Sequence, residues 1–122
     1  MTVPAYAIGY LRDVAIGEAI IRYMREIDGT LAPYGGEFVI RGGGLEPKEG
    51  RWDGDVVVIR FPDRRSAEQW FDSPAYQRIV PLRADNSRSM IALVDGVKPG
   101  HTGASKVAEL LEHERRPVPL EP

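Results

Sequence analysis

Three side chains in this sequence could do chemistry together: Tyr10, Arg41 and Arg60. Arg41 closes the apolar run EFVIR, and Arg60 sits inside DVVVIRF. Both runs read as neighbouring strands. The period of two along a strand puts both arginines on one face, and Tyr10 joins them from a third strand. Two guanidinium groups beside a phenol would suit a carboxylate or an enolate-like oxygen, because their planar donors match a two-oxygen anion. Buried charges are normally paired, so each arginine could instead meet an Asp or Glu near a strand end.

Two further groups qualify as candidates. Trp52-Asp53 lies in the Gly-rich connection after Gly42-Gly43-Gly44, where Trp52 could close over a pocket or simply anchor its loop. Asn86 and Arg88 precede the last strand, where they could reach a pocket or cap a helix end and turn. The triple glycine is no phosphate loop, since it has no lysine and opens no helix. Both histidines, His101 and His113, fall near the C-terminus, and there is no cysteine. The predicted domain thus offers no histidine base, no imidazole ligand and no thiolate, and neither a metal site nor a cofactor is expected. Tyr, Asn, Trp and Arg can still position a substrate and stabilise an anion.

These residues need strands and helices to position them. Residues 4–12 alternate Tyr6, Ile8, Tyr10 against Ala7, Gly9, Leu11 and read as a strand with both faces covered. Ile16, Ile20, Tyr23, Ile27 and Leu31 recur at helical spacing, predicting a helix over about 15–32 behind a capping Asp13. Residues 37–41 and 55–61 are the next strands. Pro62 ends the second, and Asp63 caps the helix that carries Ala67, Trp70 and Phe71. Ser73-Pro74 breaks that helix, and a second piece kinked at Pro81 carries Tyr76 and Ile79. Residues 88–95 are the fourth strand. Lys98-Pro99-Gly100 reads as a linker, Val107, Leu110 and Leu111 mark one short helix, and PVPLEP reads as extended or disordered.

The order β-α-β-β-α-β predicts an α+β, ferredoxin-like fold with a four-stranded antiparallel sheet and both helices on one face. The expected helix-side rows are Ala7/Gly9/Leu11, Phe38/Ile40, Val57/Ile59/Phe61 and Ile91/Leu93. The opposite rows would hold Tyr6/Ile8/Tyr10, Val39/Arg41, Val56/Val58/Arg60 and Met90/Ala92/Val94. That second face is too apolar for water, so the pattern predicts a partner, most simply a two-fold homodimer whose sheets form an α/β barrel.

The run Tyr34 to Gly43 resembles the YGG-x-[YF]-hydrophobic-hydrophobic-RGG signature of the domain of unknown function 1330 family. Val57 to Pro62 is similar to its VVIEFP strand, AEQWFDSPAY at 67–76 to its A-x-x-[WF]-[YF]-x-S-P-x-Y segment, and Leu93 to Gly96 to its LVEG or LVDG end. The resemblance implies the dimeric α/β-barrel superfamily. It also implies two departures: Arg60 stands where Glu is common, and Tyr10 where His is frequent. A haem-linked role, found among other such barrels, is disfavoured by the histidine positions.

The chain of 122 residues divides on this reading into a dimeric α/β-barrel domain at 1–96 and a C-terminal extension with one short helix at 97–122. A net charge of −2 with both signs interspersed argues against nucleic-acid and membrane-surface roles. The N-terminus lacks the pattern of a secretory leader, and a cytoplasmic location is expected. Three functions remain open at this stage. The first is binding of a small acidic or polar organic molecule in a cavity on the non-helical face, by Tyr10, Arg41, Trp52, Arg60, Asn86 and Arg88. The second is a cofactor-independent monooxygenase- or isomerase-like enzyme. The third is a non-catalytic structural or partner-binding dimer.

Overall fold

The computed structural model describes residues 2–115. Strand β1 (Ala5–Arg12) leads to helix α1 (Glu18–Leu31) and a 3-10 turn at Ala32–Tyr34. Strands β2 (Glu37–Arg41) and β3 (Asp55–Phe61) follow, then helices α2 (Arg64–Asp72) and α3 (Pro74–Ala84), strand β4 (Arg88–Asp95) and helix α4 (Gly103–Arg115). The sheet is antiparallel with order β2-β3-β1-β4, the ferredoxin-like arrangement the element order predicts.

Local chemistry fixes the elements that build the site. The Asp63 carboxylate accepts from the Ser66 amide at 2.7 Å, which starts α2 and holds the carboxyl below its usual range. Ser73 both ends α2 and starts α3. Its hydroxyl donates to the Trp70 carbonyl at 2.7 Å and accepts from the Tyr76 amide at 3.2 Å. Trp70 and Tyr76 are thereby locked together, with ring centroids 4.0 Å apart. They share the core with Phe61, Ile59, Ile27 and Leu31, between the helices and one face of the sheet. Gly36 has no side chain to spare: a Cβ there would lie 2.7 Å from Leu31 and 2.8 Å from Phe61.

Two expectations need correction. Asp13 does not cap α1. It adopts φ 49°, a left-handed conformation that Asp tolerates better than most residues, and pairs with Arg88 at 3.7 Å. The helix begins at Glu18, about three residues later than its apolar pattern suggests, and Ile16 stays 73% exposed.

The second correction concerns β2. The register shifts between Phe38 and Ile40: Phe38 lies opposite Ile59, but Ile40 lies opposite Val58 and Arg41 opposite Val57. Val39 is the extra residue of a bulge, and the faces of everything after it are exchanged. Arg41 therefore belongs to the helix side and Ile40 to the open side, the reverse of the simple alternation.

The remaining rows lie as expected. The face away from the helices carries Ile8, Val39, Ile40, Met90 and Val94, all exposed, with Met90 at 62%. Helix α4 is exposed over residues 103–113. Among the described residues no helix is long and apolar enough to cross a membrane. The final PVPLEP segment lies outside the described residues.

Candidate functional site

The residues expected to form one cluster are divided between the two faces of the sheet. Tyr10 and Arg60 lie on the open face, opposite Val56 and Tyr6 respectively. Four residues of strand separate their levels, about 13 Å at about 3.3 Å per residue. Arg41 is on the other face, its guanidinium carbon 4.3 Å from the centroid of Phe38. Among the described residues neither Arg41 nor Arg60 forms an ion pair.

Tyr10 has partners of its own. Its hydroxyl donates to Asp53 Oδ1 at 2.8 Å, and its ring meets Trp52 edge-on at 6.2 Å. Partial burial and then this bond push the Tyr10 hydroxyl above its ordinary range. The bond in turn holds the Asp53 carboxyl low, helped by Arg12 and Arg51 at 4.0 and 3.9 Å. Trp52 is half exposed and donates to the Glu49 carbonyl at 2.9 Å, so its indole is tied into its own loop. Asn86 and Arg88 reach neither group. The Asn86 side chain donates to the Leu82 carbonyl at 2.9 Å, closing α3, and its carbonyl accepts from Ala15 at 2.8 Å. Arg88 is engaged with Asp13 on the surface.

A cavity of about 390 Å³ lies on the helix side, between α1 and the sheet. That is within the range of about 300–1,000 Å³ common for small-molecule sites. Its floor is Gly9, Val57 and Ile91; Ile20, Tyr23 and Met24 of α1 form its roof. Gly9 keeps the floor low, since a Cβ there would press on Ile91 at 3.2 Å and Leu11 at 3.3 Å. Phe38, Arg41 and Asp55 stand toward the β2 side, an arrangement the Val39 bulge creates.

The polar end is formed by Tyr23, Tyr76 and Arg83. The two phenol oxygens lie 2.8 Å apart. Burial, then the neighbouring Tyr76, push the Tyr23 hydroxyl far above its ordinary range, so it stays protonated. Arg83 is 5% exposed, donates from Nη1 to Ser89 Oγ, and leaves Nε buried with no partner. From the sequence Tyr23 and Tyr76 read as core positions rather than site residues, and Arg83 was not singled out. The signal was present: Tyr76, Ile79 and Arg83 fall at i, i+3 and i+7 of α3, which puts a charged residue in the buried stripe. Among the described residues no three His, Asp or Glu side chains gather as metal ligands.

Fold and cavity define a small ferredoxin-like α+β protein with an apolar, arginine-ended cavity under its first helix. Residues 4–97 match the family model described as Domain of unknown function (DUF1330), and the chain belongs to that family. A dimeric ferredoxin-like protein of unknown function from Jannaschia sp. CCS1 is similar in structure at a TM-score of 0.61. The two share 16% identity over 76% of this chain and 99% of that one. A protein of unknown function from Rhodopseudomonas palustris has a TM-score of 0.56 at 21% identity, over 81% and 86% of the two chains. SnoaB, a cofactor-independent oxygenase from Streptomyces nogalater, also has a TM-score of 0.56, at 11% identity over 83% and 100%. A search of the curated proteins finds no match.

Proposed function

We propose that this protein is a homodimer that binds a small, mainly apolar organic molecule in the cavity between α1 and the sheet. One observation carries the reading: an apolar cavity of about 390 Å³ opens inside the helix–sheet layer, where packing is normally close to solid. The site expected on the open face is replaced in this reading by the helix-side cavity. The open face serves the second copy instead, because its exposed Ile8, Met90 and Val94 form an apolar patch of the kind that marks interfaces. The dimeric relative of the same fold supports that role. A cytoplasmic location and a boundary near residue 96 between barrel domain and extension belong to the same proposal.

The test uses naphthalene derivatives and thermal unfolding. Ligands that fill the cavity should raise Tm in wild type and fail to do so in Met24→Trp, which places an indole at the roof. Equal stabilisation in both proteins would contradict the site.

Cofactor-independent oxygenation is the second reading, favoured by the fold shared with SnoaB and by the hydrogen-bonded Tyr23–Tyr76 hydroxyls in the cavity. Oxygen uptake with a bound phenolic ligand, lost in Tyr76→Phe, would support it; binding without uptake leaves a binding protein.

A further inference from the structure

The cavity's polar end is made of donors. Arg83 brings a positive charge into a region that is 95% shielded, as its 5% exposure states, and no carboxylate pairs with it among the described residues. Its Nη1 is committed to Ser89, and its Nε–H has no acceptor. Tyr23 and Tyr76 add to this excess. Each phenol has one proton to give, and their mutual contact uses one of the two. The Arg83 guanidinium carbon lies 5.8 Å from the Tyr23 ring centroid and acts on the Tyr23 hydroxyl by charge and hydrogen bond, so it offers the other hydroxyl proton no acceptor. Ser89 Oγ already accepts from Arg83. Buried charges and donors are normally satisfied, and an arrangement of this kind is completed by an acceptor carrying one negative charge.

We propose that the occupant of this cavity carries a carboxylate, and that Arg83 is its anchor. The proposal rests on the ligand cavity argued above and gives that ligand its chemical class: an aromatic or aliphatic acid whose apolar body lies between α1 and the sheet. A planar two-oxygen monoanion fits a guanidinium and a nearby phenol donor. A phosphate monoester fits less well, because its second charge has no partner at the buried end; Arg41 is exposed at the β2 side, where Asp55 also lines the opening.

The experiment titrates the 15N-labelled full chain with 2-naphthoate, its neutral amide 2-naphthamide, and 2-naphthyl phosphate. Backbone resonances of α1 report occupancy of the cavity, and the Nε–H resonance of Arg83 reports the anchor. The expected result is a Kd for 2-naphthoate at least tenfold below that of the amide, with the Arg83 Nε–H signal moving only for the acid. Arg83→Met should bring the acid to the affinity of the amide, and Arg83→Lys, which keeps the charge without the planar fork, should restore part of the difference. Acid and amide binding equally, with α1 resonances moving for both, would overturn the anchor and leave the cavity standing. Tighter binding of the phosphate would overturn the carboxylate assignment. If none of the three moves the α1 resonances, the cavity reading fails and the anchor with it. Should Arg83→Met not fold, the wild-type comparison of acid, amide and phosphate still decides.

Discussion

The guanidinium carbon of Arg83 lies 5.8 Å from the centroid of the Tyr23 ring, so the one deeply buried charge among the described residues rests against a phenol rather than a carboxylate. A buried charge without a counter-ion contributes little to stability, and replacing such groups with apolar residues of similar size is often neutral or stabilising. Arg83→Met should therefore unfold in urea within about 1 kcal/mol of wild type, or above it. A loss well beyond that would assign Arg83 a structural role instead.

Tyr23 and Tyr76 are held together by their hydroxyls at 2.8 Å. Tyr23→Phe leaves the Tyr76 hydroxyl buried with one partner fewer and should cost about 1–3 kcal/mol. The same pair gives an alkaline signature. The folded Tyr23 hydroxyl titrates above its unfolded value of 10.0, so its contribution is complete below pH 10 and declines as pH rises beyond it. Wild-type stability should fall more steeply than that of Tyr23→Phe above pH 10, followed by chemical denaturation.

Thr30 and Trp70 join α1 to α2 through the core. The indole Nε1 donates to Thr30 Oγ1 at 3.0 Å, and that hydroxyl donates to the Ile27 carbonyl at 2.7 Å. Thr30→Val keeps the volume but strands a buried indole N–H, a loss of about 1–3 kcal/mol in urea unfolding.

Val58 sits in the middle of the open face, opposite Ile8 on one side and Ile40 on the other. Val58→Asp should turn the dimer into a monomer by light scattering at micromolar concentration, with the helix layer intact by circular dichroism. A wild-type protein that is already monomeric would remove the role given to this face.

Asp53 supplies the acid counterpart. Its folded carboxyl titrates below the ordinary 3.8 because Tyr10 donates to it, so its contribution is present above that value and is lost as pH falls through the lower folded one. Asp53→Asn should flatten the stability profile below pH 4 relative to wild type, in urea titrations at each pH.

Strand order and the division into a helix face and an open face were legible in the sequence because apolar alternation and the β-α-β-β-α-β order leave few alternatives. The site was less legible, for two physical reasons. Alternation assigns faces only while the ladder is regular, and nothing in EFVIR marks Val39 as the extra residue that turns Arg41 toward the helices. Arg83 was hidden by a different prior. An arginine near a helix end usually reaches water with its tip, whereas here the α3 stripe of Tyr76 and Ile79 carries it under the sheet's fourth strand, onto Ser89. Tyr10 was read as a pocket group beside Arg41 and Arg60, yet its partner is Asp53, while Trp52 bonds to Glu49 as a loop anchor would.

On the function proposed above, the ligand enters beneath α1 and not between the two sheets. A crystal structure of the protein grown with 2-naphthoate tests it most directly. The ring is expected between Ile20 and Ile91, with the carboxylate in hydrogen-bond contact with Arg83. Density for the acid on the open face, beside Tyr10 or Arg60, with the helix-side cavity unchanged, would contradict it.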